Sequence, residues 1–459
     1  MLRYFFQIFC LTLCSFIFAD RGDIISSELL ETYNLNNNQA FIDNELSQIV
    51  SDQFSLDAVD YGVSLYKIIY ETIDINGEIH HASGVIAYPR VDYPLTPNQA
   101  FPILSYQHGT TIEKSSVTSE NGLWVLPAVI AGSGFVYLEP DYLGLGVSNC
   151  RHPYQLKEPY ATDIVDLLRA LKHFAQGNSD FEINDQLYLA GYSEGGYATM
   201  AAHEIIERDY DDEFVITASF PMAGAYSMSE VMTNVMLSFE SYGQPFYFPY
   251  VLFSYIDYYP ILSMPNDYLL PEYHHLYDMF DGYHSSSEIN NELPSIPITI
   301  MKPDSIASFE NNPTHPLREA LSQNDNWNWS PVAPIYLFHG EGDELVPIEN
   351  SEIAYNQFLS NGSQEVYLEI IPESWGGHSE VAPFALLGAF QVATEMQIIN
   401  ELGDSNQDGI LDVSDLILIS NFVINNFFST YYELWSCDIN MDNSQDILDV
   451  ILLLKKLIS

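Results

Sequence analysis

Short apolar segments alternate with helical segments from residue 63 to residue 371, and this alternation constrains the fold more than any other feature of the chain. Residues 161–176 and 197–208 carry apolar side chains at helical spacing. Asn76-Gly77 joins the first two strands as a hairpin turn. Strands separated by helices predict an α/β fold, with a parallel sheet covered on both faces. The predicted strands are residues 63–72, 79–88, 101–106, 135–138, 187–190, 215–220, 335–338 and 366–371.

The alternation stops between about residues 225 and 331. Residues 246–259 and 268–283 are crowded with Phe and Tyr. We expect an inserted, mainly helical cap in this segment. Two compatible interpretations stay open, because the aromatic side chains can form the core of the insertion itself or line a hydrophobic pocket beneath it.

One serine stands in a sequence typical of a nucleophile elbow. Gly191-Tyr192-Ser193-Glu194-Gly195 has the Gly-x-Ser-x-Gly pattern, with a predicted strand before it and a predicted helix after it. A serine hydroxyl becomes a good nucleophile only when a histidine accepts its proton and a carboxylate orients that histidine. The sequence therefore predicts Ser193 as a nucleophile, with an acid and then a histidine further along the chain.

The acid is expected in the loop after strand 335–338. Asp343 lies in that loop and is followed by the apolar segment Leu345-Val346-Pro347. Glu341 and Glu344 are weaker alternatives. His339 is still at the end of the strand, where we interpret it as a structural residue.

The base is expected after the last strand of the sheet. His378 follows strand 366–371 and is the last of the 12 histidines in the chain. It alone meets both conditions, so Ser193, Asp343 and His378 form the predicted catalytic triad.

Ester or amide hydrolysis also needs two donors for the oxyanion that forms at the attacked carbonyl. The backbone N–H of Glu194, beside the nucleophile, is the first predicted donor. The loop Gln107-His108-Gly109-Thr110-Thr111 follows an early strand and supplies the second. We assign that donor to the N–H of Thr110, with Gly109 as the weaker alternative.

These segments together resemble the α/β-hydrolase superfamily, and within it the secretory lipase and esterase group. The resemblance implies hydrolysis of small-molecule acyl esters through an acyl-serine intermediate, without a catalytic cofactor and often beneath a helical cap. The matching segments are Tyr106-Gln107-His108-Gly109-Thr110, Asp141-Tyr142-Leu143-Gly144-Leu145-Gly146, His152-Pro153-Tyr154, residues 191–196, His339-Gly340 with Asp343, and Gly377-His378.

Two alternative functions stay open at this point. The same fold and triad serve exported serine peptidases and amidases. An inactive hydrolase scaffold acting as an anchored binding protein is the third hypothesis, and the intact Ser193, Asp343 and His378 set argues against it.

The C-terminal segment contains two copies of a calcium-loop pattern. Oxygen-bearing side chains stand at positions 1, 3, 5, 9 and 12 of each copy, as in an EF-hand, and a backbone carbonyl stands at position 7. Four carboxylates crowd each loop, so we expect bound Ca²⁺ to be needed for this segment to fold. The predicted ligands are Asp404, Asn406, Asp408, Ile410, Asp412 and Asp415 in the first loop and Asp438, Asn440, Asp442, Ser444, Asp446 and Asp449 in the second.

This doubled loop, with Asp instead of Glu at position 12, resembles a type I dockerin. The resemblance implies an all-α module at residues 402–459, following a hydrolase domain at residues 20–401. It also implies a cohesin-type protein partner. A calcium-stabilised surface or sorting module without a cohesin is the open alternative.

The chain is strongly acidic, with 63 Asp and Glu against 14 Lys and Arg, a formal net charge of −49. This charge repels nucleic acid and anionic membranes, so neither is expected as a partner. Most of it is expected to be a solvated surface.

The first residues predict export of the chain. Residues 1–19 contain Arg3, a short apolar run and Ala19, as in a secretory signal peptide. The run is too short for a membrane span, and we expect a secreted or cell-surface protein without a transmembrane anchor. Cleavage would leave Cys150 and Cys437, either as one disulfide or as two separate thiols.

Overall fold

The computed structural model describes residues 20–49, 58–91, 99–425, 428 and 430–458. The predicted signal peptide, residues 1–19, lies outside the described residues. Within the described part of the chain, no helix combines the length and the apolar character that crossing a membrane requires. The strands are β1 (Ile24–Tyr33), β2 (Gly62–Ile73), β3 (Ile79–Arg90), β4 (Gln99–Gln107), β5 (Val136–Pro140), β6 (Glu182–Tyr192), β7 (Ile216–Met222), β8 (Ile335–Gly340), β9 (Val366–Ile371) and β10 (Asn400–Glu401).

Helices follow or precede most of these strands. Three short 3-10 turns, Pro271–Tyr273, Pro297–Ile300 and Glu373–Trp375, lie among them. The helices are α1 (Leu35–Ile49), α2 (Thr118–Asn121), α3 (Val125–Gly132), α4 (Lys157–Gln176), α5 (Glu194–Asp209), α6 (Val231–Met236), α7 (Tyr247–Tyr258), α8 (Pro265–Tyr268), α9 (Leu276–Met279), α10 (Ser286–Asn291), α11 (Pro303–Asn311), α12 (Pro316–Gln323), α13 (Glu349–Ser360), α14 (His378–Met396), α15 (Val413–Asn425), α16 (Tyr431–Cys437) and α17 (Ile447–Ile458).

The strands form one mixed sheet in the order β1-β2-β3-β5-β4-β6-β7-β8-β9, with β10 paired to the start of β4. The strands in the part of the sheet ordered β5-β4-β6-β7-β8-β9 pair in parallel, as the alternation of strands and helices predicts. The β1-β2-β3-β5 end is antiparallel, which the sequence pattern did not predict apart from the β2-β3 hairpin. Strand β1 was missed because its side chains are mostly exposed and lack the apolar signal of a buried strand.

Helices cover both faces of the sheet. On one face, α4 and α5 bury side chains such as Ile164, Leu168 and Ile206. On the other face, α1, α3 and α14 bury side chains such as Ile42 and Val381. Burial on both faces explains why the central strands read as continuous apolar segments.

The segment between β7 and β8 carries helices α6 to α12. Phe253 is fully buried and packs on Phe280, with 5.4 Å between ring centroids. Tyr255 donates a hydrogen bond to the carbonyl of Gln155, which lies outside the insertion, at 2.9 Å. The aromatic residues thus form the core of the insertion and also attach it to the body.

The C-terminal helices share a small core built around Ile419, Cys437 and Leu453. This part is bonded to the main sheet, because β10 pairs with β4 immediately before residue 402. Gln407, inside the first predicted calcium loop, donates to Asp185 of β6 at 2.7 Å. Cys437 and Cys150 are both free thiols, the first buried and the second partly exposed, which corresponds to the alternative without a disulfide.

Candidate active site

Ser193 lies in a sharp turn between β6 and α5. Its backbone has φ 62° and ψ −119°, a conformation that residues other than glycine rarely adopt. The Ser193 N–H donates to the carbonyl of Met222 on the neighbouring strand β7, at 2.9 Å. Held in this way, the serine side chain projects at the carboxyl edge of the sheet, beside the N-terminus of α5.

Two glycines let the backbone pass this closely. A Cβ on Gly191 would overlap the carbonyl of Gly195, and a Cβ on Gly195 would overlap the carbonyl of Gln107 at the end of β4. Both obstacles are backbone atoms, which cannot rotate away. The Gly-x-Ser-x-Gly pattern is therefore a steric requirement of this turn.

The structure brings Ser193, His378 and Asp343 into one line of hydrogen bonds. His378 Nε2 lies 2.8 Å from Ser193 Oγ, and His378 Nδ1 lies 2.5 Å from Asp343 Oδ2. A carboxylate only accepts, so Nδ1 carries the hydrogen and the Nε2 lone pair faces the serine hydroxyl. This geometry suits transfer of the serine proton to His378.

Asp343 is held as an ionised carboxylate. Its Oδ1 accepts backbone N–H groups of Leu345 at 3.0 Å and Val346 at 2.8 Å. Burial by itself would raise the pKa of Asp343, but hydrogen bonds from His339 and His378 lower that pKa well below its usual range. The acid therefore keeps its charge at neutral pH.

The other residues considered for the acid, together with His339, occupy different positions around Asp343. His339 is fully buried, and its Nε2 donates to the carbonyl of Val346 at 2.8 Å while lying 3.3 Å from Asp343 Oδ2. It therefore supports the acid directly, a role that its position in the sequence did not reveal. Glu344 accepts the backbone N–H of His378 at 3.0 Å, and Glu341 is exposed.

The two predicted oxyanion donors lie on adjacent segments. Neither the N–H of Glu194 nor that of Thr110 has an acceptor among the described residues. A Cβ on Gly109 would lie 3.6 Å from the carbonyl of Tyr192, so this loop runs beside the serine turn. Tyr142 donates to the carbonyl of His108 at 3.0 Å and braces the loop.

A cavity of about 470 Å³ lies between the acid loop and the inserted helices. Its lining includes Glu344, which contacts His378, and Tyr242, whose hydroxyl donates to the carbonyl of Leu345 at 2.8 Å. Tyr247, also in the lining, stands against Tyr154, with 6.3 Å between ring centroids. Most of the remaining lining is apolar, including Met228, Val231, Met232, Val235, Met236, Phe248 and Val251.

The sequence predicts a role only for the backbone N–H of Glu194 and none for His152 or Tyr160. The structure buries the Glu194 carboxylate, with His152 Nε2 at 2.8 Å and Tyr160 Oη at 2.6 Å. The only sequence signal was the His152-Pro153-Tyr154 segment, which lies far from Glu194 along the chain.

The two predicted calcium loops adopt the same turn. Gly409 and Asn443, at position 6, have φ 77° and 62°, and each donates its N–H to the Asp at position 1, at 2.9 Å in the first loop and 2.7 Å in the second. One oxygen of Asp404, Oδ1, is buried and has no hydrogen-bond partner among the described residues. Every predicted ligand atom is an oxygen, the donor type that Ca²⁺ prefers, so the residues fit this ion chemically.

The position-12 side chains are engaged elsewhere in these loops. Asp415 accepts N–H groups from Ser405 and Asp412, both at 2.9 Å, and Asp449 accepts the N–H of Asp446 at 2.8 Å. Over the described residues, no three or more His, Cys, Asp or Glu side chains converge as a metal site requires. A carboxylate has about four lone-pair sites, so these hydrogen bonds leave Asp415 and Asp449 able to accept a cation as well.

Solved structures show the same architecture. A hydrolase of Legionella pneumophila superposes with a TM-score of 0.70 and 27% identity, covering 81% of this chain and 98% of its own. The rice cell wall degrading esterase LipA of Xanthomonas oryzae gives 0.70 and 25%, covering 82% and 96%. Lipase A of Candida antarctica gives 0.58 and 16%, covering 82% of each chain.

No family model and no curated protein matches the sequence. The structural neighbours are esterases, lipases and a hydrolase, all with the mixed sheet covered on both faces. The chain therefore has the fold of the α/β-hydrolases and is similar to their ester-hydrolysing members.

Replacing Gly195 tests the steric requirement of the serine turn. We expect Gly195→Ala to lower the free energy of unfolding by about 3 kcal/mol or more, because the new Cβ overlaps a backbone carbonyl. Gly177→Ala is the matched control, since its Cβ would have only ordinary contacts at 3.7 Å. Urea unfolding measures both, and equal stability of the two variants would contradict the steric argument.

Proposed function

We propose that this chain is a secreted serine hydrolase that cleaves carboxylic esters. The observation that carries the proposal is the hydrogen-bonded line from Ser193 Oγ through His378 to Asp343, at 2.8 and 2.5 Å. The similarity to the esterase LipA, at 25% identity over 82% of the chain, supports an ester as the substrate.

In the proposed reaction, His378 Nε2 accepts the Ser193 proton while Oγ attacks the ester carbonyl. The N–H groups of Glu194 and Thr110 then stabilise the oxyanion. His378 returns the proton to the leaving alcohol, and the acyl group stays on Ser193. A water molecule, deprotonated by the same histidine, hydrolyses this intermediate, while Asp343 remains ionised and orients the imidazole.

The cavity beside the acid loop is the proposed site for the apolar part of the ester. Its volume of about 470 Å³ lies within the range of small-molecule pockets. Methionine and valine side chains from α6 form much of its wall, and methionine adapts to ligands of different shape. The inserted helices therefore act as a cap in this proposal.

Replacing the nucleophile tests the reaction class. We expect Ser193→Ala to abolish hydrolysis of p-nitrophenyl esters and covalent labelling by a fluorophosphonate probe, because no other hydroxyl faces His378 Nε2 among the described residues. Unchanged circular dichroism and thermal unfolding serve as the folding control.

Wild-type labelling of the Ser193→Ala variant would refute the assignment of the nucleophile. Turnover of aminoacyl anilides in preference to p-nitrophenyl esters would point to a peptidase or amidase. A wild-type chain that neither labels nor turns over either substrate would indicate the inactive scaffold.

Narrowing the cavity tests its role in substrate binding. We expect Met232→Trp to lower kcat/KM for long-chain p-nitrophenyl esters by about tenfold more than for the acetate, because the indole fills space that an acyl chain would occupy. Met264→Trp is the control, since Met264 is 65% exposed and lies outside the cavity lining. A parallel loss for both esters would contradict this role.

For the C-terminal segment, we propose that residues 402–459 form a dockerin-like module in which each loop binds one structural Ca²⁺. The proposed ligands are the twelve residues given by the sequence analysis. Exposed apolar side chains recur at matching positions of α15 and α17, namely Val413 with Ile447 and Ile417 with Ile451. They support a protein partner of the cohesin type, and the pattern of residues 1–19 supports export to the cell surface or beyond.

Calcium removal tests this module. We expect EDTA to lower the thermal transition of the C-terminal segment, because four carboxylates in each loop then repel one another. Asp408→Asn combined with Asp442→Asn should weaken Ca²⁺ binding by about tenfold in calorimetric titration, since ligand charge sets affinity. Asp211→Asn with Asp278→Asn makes the same charge change outside the loops, and identical melting with and without Ca²⁺ would refute the proposal.

A further inference from the structure

The residue after the serine carries a carboxylate into the protein interior. The Glu194 side chain has no exposed surface, and that of His152 is 2% exposed. Glu194 Oε1 lies 2.8 Å from His152 Nε2 and accepts the hydroxyl of Tyr160 at 2.6 Å. Its second oxygen, Oε2, is buried without any hydrogen-bond partner in the described part of the chain.

The hydrogen bonds of His152 determine how many protons this pair holds. His152 Nδ1 lies 2.7 Å from the carbonyl of Leu143, which only accepts, so Nδ1 carries a hydrogen. A lone pair on Nε2 facing a bare carboxylate oxygen at 2.8 Å would be repulsive. Tyr160 Oη also lies 3.2 Å from Nε2, but its hydrogen goes to the closer Glu194 Oε1. One proton therefore lies between His152 and Glu194, either on His152 as an imidazolium or on Glu194 as a carboxylic acid. In both forms the pair has no net charge.

The His152–Glu194 pair lies close to the proposed oxyanion site, so its charge affects the reaction. Glu194 also supplies the backbone N–H proposed to stabilise the oxyanion, so its carboxylate lies within one side-chain length of that donor. A buried negative charge there would oppose the developing oxyanion, because the interior screens charges poorly. His152 is the only basic side chain in direct contact with this carboxylate among the described residues.

Tyrosines connect the pair to the second oxyanion segment. Tyr154 exchanges a hydrogen bond with Thr110 at 3.0 Å, and Tyr250 donates to the carbonyl of Thr111 at 3.2 Å. The rings of Tyr154 and Tyr250 lie within 6.0 and 5.8 Å of the His152 ring. Burial, and then the Glu194 charge, raises the pKa of Tyr154 and Tyr250 far above the usual range, so both hydroxyls stay neutral.

We propose that His152 is a positioning residue whose shared proton cancels the Glu194 charge beside the oxyanion and holds the two oxyanion segments together. The proposal rests on the serine hydrolase function given above. It assigns to Glu194 and His152 a role in stabilising the tetrahedral intermediate, without contact between His152 and the substrate.

Three variants separate the charge from the packing. In His152→Gln the amide still donates to Glu194 but cannot carry a positive charge, so negative charge on Glu194 has no counter-charge beside it. We expect kcat to fall by about tenfold or more, and affinity for a tetrahedral phosphonate or boronate analogue to fall with it, while KM changes little. In Glu194→Gln the amide donates to neutral His152 and no charge remains, so the loss should be smaller.

The double variant His152→Gln/Glu194→Gln gives the decisive comparison. We expect it to recover most of the kcat that His152→Gln loses, because removing the second group removes the uncompensated charge. A residue with a merely structural role would not show such a rescue, and the losses of the two single variants would then add or worsen.

A second His–Glu pair, on helix α5, is the matched control. His203 Nε2 lies 2.9 Å from Glu207 Oε1, and the His203 side chain is fully buried, but Ser219 rather than the oxyanion segments faces its other nitrogen. His203→Gln should lower the melting temperature with little change in kcat.

The outcomes distinguish this proposal from the function on which it rests. A double variant no more active than His152→Gln, or a loss in KM alone, would overturn the charge-cancelling role while ester hydrolysis by the wild type stands. A wild-type chain that neither hydrolyses esters nor reacts with a fluorophosphonate would overturn both.

Discussion

The turn at Ser193 is the constraint from which the rest of the site follows. Its positive φ of 62° lifts the serine off the end of β6, and this conformation persists because the backbones of β4, β7 and α5 pass within van der Waals distance of it. Parallel pairing brings the carboxyl ends of β4, β6, β8 and β9 to one edge of the sheet. The loops that carry Thr110, Asp343 and His378 therefore meet at the same place, although they are far apart in the sequence.

Buried carboxylates near the serine are individually compensated, although the chain as a whole has a formal charge of −49. Asp343 is stabilised by two backbone N–H groups and two histidines. Glu194 has His152 and Tyr160. A charge removed from water without such partners would cost several kcal/mol. The buried carboxylates Asp343 and Glu194 thus each have specific hydrogen-bond donors.

The C-terminal segment is less separate from the hydrolase body than its sequence indicates. Strand β10 and the Asn184–Asn400 hydrogen bond at 2.6 Å fix the chain to β4 and β6 immediately before residue 402. Within the segment, Asp404 accepts from Asn400 at 2.8 Å and Gln407 contacts Asp185 of β6. These bonds join the first predicted calcium loop, but not the second, to the sheet that carries Ser193. Two loops with the same sequence pattern therefore stand in different surroundings.

Local pattern alone predicted eight of the ten strands in the described residues, the helices that became α4 and α5, the order Ser193, Asp343, His378 and the doubled C-terminal loop. The sequence reveals these features because each leaves a short local pattern. A buried strand is a run of apolar residues, the serine turn has glycines on both sides, and the loop oxygens recur at fixed spacing. The antiparallel β1 edge, the support of Asp343 by His339 and the pairing of Glu194 with His152 were decided only by the tertiary structure. The β1 edge and the Glu194–His152 pair join groups distant in sequence, whose side chains give no local signal of their partners. His339 is only four residues from Asp343, but their contact depends on how the loop after β8 folds.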